Sequence, residues 1–436
     1  MLNTSLRKIL NSNLLLFILL AICILFGLAW LYHPALNFPL TNGDDLVILS
    51  KVANTTNPGE FFFTDWGLGN NAYRPLHSLS IWIMYKLVGV WAYPNQLTNL
   101  VLHILNTLLI YYILWKDNVP IWISFGVALL FGTSMYSMSP ATWISDRPNL
   151  MVAILLNLNL VLIFRHIRSP HIAIVAVSTF ISILGLLCKE SGLVIPLLII
   201  VLAIALNLKY RKPLIISSGI VLLLYFAFRF VVFSSQAYSY SESGYLLGVI
   251  AYPDNTQFSF FLQILVFLDN VLKNIVANIL MIFGPEGGFQ PWAELQSRLS
   301  MVLSIFLLSV MAFLCRKKNP LYVAALFILI INALIHFQLF RYRALYLGFE
   351  ALLLFVGSGF SGFRWINKNW VGWVLSSLLF VALLSNVSYS VDHLENQTFK
   401  KNREINRYEL QTVVTQRGDH ISPEIIEEVL ELYKRK

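Results

Sequence analysis

Residues Thr41 to Leu76 read TNGDDLVILSKVANTTNPGEFFFTDWGLGNNAYRPL, and the reading of this stretch decides the fold. It follows the first long apolar segment, is punctuated by Gly and Pro, and holds the acidic residues Asp44, Asp45, Glu60 and Asp65 with one arginine, Arg74. Charge is scarce in the apolar segments around it. Long connections are usually functional or disordered, so the loop at 33–75 is read as an active-site loop outside the apolar bundle. The next segment, LHSLSIWIMYKLVGVW at 76–91, is apolar but short and carries Lys86. Whether it spans a membrane or lies along its surface sets the side of every later loop.

With 57% hydrophobic and 12% charged residues among 436, the chain has more apolar surface than one soluble core can bury, and it reads as an integral membrane protein. Its apolar runs approach the length needed to cross a hydrocarbon core of roughly 30 Å, and the alternating pattern of a barrel is absent. The formal net charge of +9 falls largely in short loops, where it reports topology rather than nucleic-acid binding. Cys23, Cys188 and Cys315 lack metal-ligand spacing and offer no disulfide framework. The first apolar run, Leu14 to Tyr32, follows Arg7 and Lys8 without a small-residue cleavage site. It reads as a retained signal anchor with a cytoplasmic N-terminus.

Later apolar segments lie near 96–115, 119–138, 149–164, 171–187, 191–208 and 213–233. If 76–91 is interfacial, Lys116, Arg165 with Arg168, and Lys209 with Arg211 and Lys212 all fall on the side of the N-terminus, as the positive-inside rule requires. If it spans, they fall outside. The region 234–298 is interrupted by polar residues and is read as external or re-entrant, since such backbone is tolerated only where protein covers it or it lines a cavity. Further spans near 299–315, 320–338, 343–362 and 370–390 put Arg364 and Lys368 inside. The expected fold class is an all-α polytopic membrane protein of about eleven transmembrane helices. Its first external loop carries interfacial helices, its transmembrane domain covers 1–395, and a short soluble tail follows at 396–436 with the amphipathic ending PEIIEEVLELYKRK.

On the outer face this topology gathers the acidic loop, Asp146 with Arg147, Lys189 with Glu190, and Arg341 with Arg343. Asp44 and Asp45 suit the first turn of a short helix, DLVILSKV, which on spacing alone is a capping role. Their alternative is general-base chemistry, because adjacent carboxylates repel and partial burial raises the pKa of at least one. Arg74 either snorkels at the interface or holds a phosphate through two hydrogen bonds. Asp146, Arg147, Lys189 and Glu190 are interfacial anchors or substrate-binding residues, ionisable groups at membrane depth being costly, and Asp65 of the acidic loop is a further candidate for substrate binding. Arg341 and Arg343 offer fixed positive charge to a leaving phosphate. His77 and His103 are read as packing or polar contacts. Phosphate-cradling GxxxxGK, zinc-binding HExxH and GxSxG nucleophile patterns are absent from the sequence.

The acidic pair Asp44-Asp45, the Asp65-Trp66-Gly67 element, Tyr73-Arg74-Pro75-Leu76, NQLTNLVLHILNTLL from Asn95, Lys189-Glu190-Ser191-Gly192 and Arg343-Ala344-Leu345-Tyr346-Leu347 occur in this order over roughly residues 40 to 350. Together they resemble the polytopic type C glycosyltransferases, near the protein O-mannosyltransferase branch and its relatives with tetratricopeptide repeats. The repeat array of those relatives is missing and a short tail stands in its place. The resemblance implies a polyprenyl-phosphate sugar donor, a lipid, glycan or protein acceptor, and an inverting transfer on the outer face. It implies Asp44 as the base, Asp45 as its support or alternative, Arg74 holding the donor phosphate, and Arg341 or Arg343 stabilising it as it leaves. No cofactor is required on this reading and no metal ligands are assigned, though relatives differ in metal dependence. A transporter or flippase for a lipid-linked glycan is the alternative from another class, disfavoured because no internal repeat is evident. A lipid-linked oligosaccharide polymerase or ligase is a third, which leaves the acidic pair unexplained. With no evident retention signal, a bacterial inner membrane with a periplasmic site is expected.

Overall fold

The computed structural model describes residues 4–37, 43–66, 72–232, 319–335, 346–360, 370–399 and 422–434, with the single positions 271, 309 and 313. Among them every regular element is helical. The α-helices are α1 (Thr4–Tyr32), α2 (Gly43–Asn54), α3 (Pro75–Val88), α4 (Ala92–Lys116), α5 (Ile121–Thr133), α6 (Met135–Thr142) and α7 (Arg147–Arg168). There follow α8 (Ile172–Cys188), α9 (Val194–Ala205), α10 (Arg211–Val232), α11 (Pro320–Ile335), α12 (Tyr346–Gly359), α13 (Trp370–Phe399) and α14 (Pro423–Lys434). The region 234–298, apart from position 271, and Arg341 and Arg343 lie outside the described residues.

Among the described residues, four stretches are by length and composition able to cross a membrane: Asn13–Asn37, Ala92–Lys116, Ile144–Arg168 and Arg211–Val232. A fifth is counted if α5 and α6 form one span, and there the continuous segment expected at 119–138 is bent by 60°. Helices α8, α11 and α12 and the stretch Glu190–Ala205 are apolar but shorter. Helix α3 has 14 residues, about 21 Å at 1.5 Å per residue, too short for the roughly 30 Å core. It starts at Pro75 and stops at Gly89, whose φ of +63° needs a residue without Cβ.

The basic segment ends meet at one end of the bundle. Arg168 donates to the Lys116 carbonyl at 2.5 Å, and His166 Nε2 donates to that of Lys209 at 2.6 Å. Both α4 and α9 stop there through an asparagine in the left-handed region. These are Asn118 at φ +62° and Asn207 at φ +49°, after which Val119 and Leu208 donate back to Leu114 and Ala203. Such a cap satisfies the last carbonyls of a helix.

Helix α4 is the mast of the bundle. Its buried Asn95, Asn99, His103 and Asn106 recur at helical spacing and form a polar stripe on one face. His103 bonds the Gly132 carbonyl at 2.9 Å and the Tyr346 hydroxyl at 3.1 Å, while Asn106 donates to Tyr346 and Glu350. His103 therefore makes the polar contact expected of it, joining α4 to α5 and α12.

At the other end sits a smaller layer of α2, α3 and the 3-10 turn Pro58–Phe62, built around Leu46, Val47, Ile48, Leu49 and Val52. Four consecutive buried residues point to nearly all sides of a helix, so α2 must be covered all round. Helix α14, within the expected soluble tail, supplies part of that cover through Ile425 and Val429. Helix α13 runs unbroken through residue 395, so the domain boundary expected there falls inside a helix.

Candidate functional site

Asp44 and Asp45 occupy the first turn of α2, where carboxylates favour the positive end of the helix dipole. They do not play the same part. Asp45 is 2% exposed, and its Oδ1 accepts the Ser145 N–H at 3.1 Å and the Ser145 hydroxyl at 2.5 Å. Burial above all pushes its carboxyl up to about 7, the Asp44 charge adds to the rise, and the Ser145 hydrogen bonds oppose it. Asp44 is half-buried. Asp45 thus fastens α2 to the turn Ile144–Asp146 that opens α7, and Asp44 is the more accessible carboxylate.

His77, on α3, is fully buried and its Nε2 donates to the Ile144 carbonyl at 3.2 Å. Burial first, then the charges of Arg147, Arg74 and Lys189, hold it well below its ordinary pKa. It is a neutral strut between α3 and the same turn.

Three charged side chains meet where α3 begins. Glu190 accepts the Tyr73 N–H at 3.0 Å and lies 3.6 Å from Arg74 Nε through one oxygen and 3.6 Å from Arg229 through the other. The Arg74 guanidinium also lies over the Trp66 ring, 4.1 Å from its centroid, a cation–π contact. Beside the three opens an apolar groove of about 530 Å³, whose walls include Phe62, Phe63, Tyr73, Leu186, Tyr225 and Phe228. The structure thus brings Arg74 and Glu190 together beside one groove, whose walls include Tyr73, the residue before Arg74.

The other candidates are placed differently. Asp65 pairs with Lys51 at 3.8 Å, and Lys51 also donates to Thr64 at 2.8 Å, which ties the loop to α2. Asp146 accepts from Ser139 and Asn149, and Lys189 donates to Asn149 at 2.6 Å. Arg147 is enclosed rather than presented to the groove. Its Nε reaches Asn99 Oδ1 at 2.7 Å, one terminal nitrogen reaches Ser80 at 3.2 Å, and the other reaches the Asn95 carbonyl and side-chain oxygens at 3.1 and 3.0 Å. It acts as a clamp between α7, α4 and α3. Among the described residues no group of three His, Cys, Asp or Glu is arranged to hold a metal ion.

Arg229 and the groove are not among the features that the sequence singles out. Arg229 is a lone cation within YFAFRFVV, and an ionisable residue in an apolar run is a functional suspect by itself. The groove walls, by contrast, come from segments far apart in the chain.

A close approach of backbones holds Glu190 in place. A Cβ on Gly192 would lie 2.1 Å from the Gly185 carbonyl oxygen and 2.3 Å from its carbon. Gly192→Ala is therefore expected to force α8 from the turn Glu190–Leu193 and to destabilise by about 1–3 kcal/mol, the usual cost of overpacking. Gly219→Ala, with nothing within 4 Å of its Cβ, is the control and should leave thermal unfolding unchanged or slightly raised. An unshifted transition for Gly192→Ala would refute the close packing.

Compared with known protein families, curated proteins and solved structures, the chain matches none.

Proposed function

We propose that the protein transfers a sugar from a polyprenyl-phosphate donor to an acceptor hydroxyl on the outer face of a membrane, as its resemblance to type C glycosyltransferases implies. The observation that carries this reading is an apolar groove lined by Tyr73 and Phe228, the chain neighbours of two arginines, Arg74 and Arg229, that share one glutamate. An isoprenoid chain needs apolar walls, and its phosphate needs fixed cations with several donors. At 3.6 Å the ion pairs of Glu190 are longer than charge-assisted hydrogen bonds. Phosphate oxygens arriving between Arg74 and Arg229 would make the stronger contacts.

In this mechanism Asp44 takes the proton of the acceptor hydroxyl. The acceptor oxygen bonds to the anomeric carbon from the face opposite the phosphate. The bond from that carbon to the phosphate oxygen breaks, and polyprenyl phosphate leaves with the electron pair, which inverts the configuration. Asp45 holds α2 in position, and Arg341 and Arg343 are assigned to the leaving phosphate. The eleven-span arrangement, N-terminus inside and C-terminus outside in a bacterial inner membrane, belongs to the same reading, with a lipid, glycan or protein as acceptor.

The test is release of polyprenyl phosphate from a set of polyprenyl-phosphate sugars by purified protein in liposomes, with acceptor extract present. Wild type should turn over one donor. Arg229→Gln should raise the KM for it about tenfold or more, as expected for loss of a hydrogen bond to a charged group. If wild type releases no polyprenyl phosphate from any donor, the transferase reading is lost and movement of a lipid-linked glycan becomes the activity to assay.

A further inference from the structure

We infer that the last helix of the chain, α14, is a positioning element that braces the helix carrying Asp44 and Asp45; its effect on catalysis rests on the transferase reading, but the brace itself does not.

Helix α2 has no polar face where its sequence reads Leu46-Val47-Ile48-Leu49, all buried. Helix α3, the turn at Pro58–Phe62 and Ile144 cover part of this apolar surface. The rest is met by Ile425 and Val429 of α14, 1% and 2% exposed, with Ile426 packed beside them. Their spacing of four places both on one face of α14, while Glu424 and Glu427 of the same helix are exposed. The contact is also polar and specific. Ser50, on α2 and buried, accepts the Ser422 N–H at 2.9 Å, just ahead of Pro423 at the start of α14. Gly89, at the end of α3, leaves room for Glu428, whose carboxylate oxygen lies 3.1 Å from where a Cβ would stand.

Helix α2 is thus held at two places. Asp45 fastens its first turn to Ser145, and α14 covers its flank. A helix of 12 residues is marginal in water by itself and depends on packing for its order. Releasing the flank leaves α2 to its packing on α3 and the Asp45 hydrogen bonds, a looser seat for the turn bearing Asp44. A displacement of about 1 Å in a catalytic group can lower a rate about 10²-fold.

The experiment uses full-length protein in lipid nanodiscs. In Ile425→Asp/Val429→Asp, amide exchange in residues 46–54 should quicken at least tenfold while that of α4 and α7 stays as in wild type. Donor turnover should fall with its KM unchanged, and an added peptide of residues 422–436 should restore both. Independently, Ser50→Cys/Ser422→Cys should form an intramolecular disulfide under mild oxidation. Unchanged exchange in α2 overturns the brace. Linked cysteines and quickened exchange in a protein that turns over no donor leave the brace standing and defeat only the transferase reading.

Discussion

Asp44→Asn is expected to lower donor turnover by about 10²- to 10⁴-fold, the range of a lost general base, with no change in thermal unfolding. The substitution keeps the shape of a half-buried side chain at the start of α2 and removes its capacity to take a proton together with its charge, whose loss from the helix dipole and from beside Asp45 acts in opposite directions. Asp45→Asn should behave differently, because Asp45 is engaged with Ser145 inside the protein. Its carboxyl is raised from an ordinary value near 3.8 to about 7, chiefly by burial. Between those values the folded protein binds more protons at this site than the unfolded chain, so its contribution to stability falls as pH rises through that window and levels off above it. Asp45→Asn should flatten that part of the stability profile, whereas Asp44→Asn, by removing only the neighbouring charge, should narrow the window from its upper edge without abolishing it. Turnover in each variant, read beside melting temperature from pH 4 to 8, separates the two roles. An active Asp44→Asn beside a well-folded but inactive Asp45→Asn would move the base to Asp45.

Much of this layer was legible in the sequence because its signals are local. DLVILSKV forms the helix it suggested, beginning two residues earlier at Gly43 and ending two later at Asn54. The segment after Arg74 is helical over 14 residues, from Pro75 to Val88. Contacts between distant segments were not legible. Glu190 meets the Tyr73 N–H across 117 positions, and no pattern of period 3.6 announces that pairing. Arg229 was passed over because the apolar run around it reads as a span whichever way the arginine points. The ending PEIIEEVLELYKRK was recognised as amphipathic, but amphipathicity says only that one face needs cover, not that α2 provides it. The buried polar stripe of α4 was visible in NQLTNLVLHILNTLL as a resemblance. Its physical sense, acceptors and donors stacked along one face for α5, α7 and α12, needed the neighbouring helices. The same stripe explains why Arg147 departs from the role that its place beside Asp146 suggested.

Arg147→Met is expected to destabilise the protein by about 3 kcal/mol or more while the groove and the Arg74–Glu190–Arg229 cluster keep their chemistry. The methionine retains an unbranched apolar stem and removes the guanidinium, which donates to Asn99, Ser80 and twice to Asn95. Each buried acceptor left without a donor costs about 1–3 kcal/mol, and rotation of Ser80 or Asn95 toward other partners would recover only part. Asn99 is constrained, since its amide already donates to the carbonyls of Pro140 and Trp143 at 3.1 and 2.9 Å. Loss of Arg147 should therefore also loosen the segment from α6 into the turn that receives Asp45. Arg147→Lys should recover little, because an ammonium cannot reproduce a planar fork that serves Asn99, Ser80 and Asn95 together. The measurements are thermal unfolding in nanodiscs and donor KM well below the transition temperature. A clamp predicts a lowered transition with KM near wild type. A substrate-binding arginine predicts the reverse, a raised KM with the transition unmoved, and that result would return Arg147 to the substrate site.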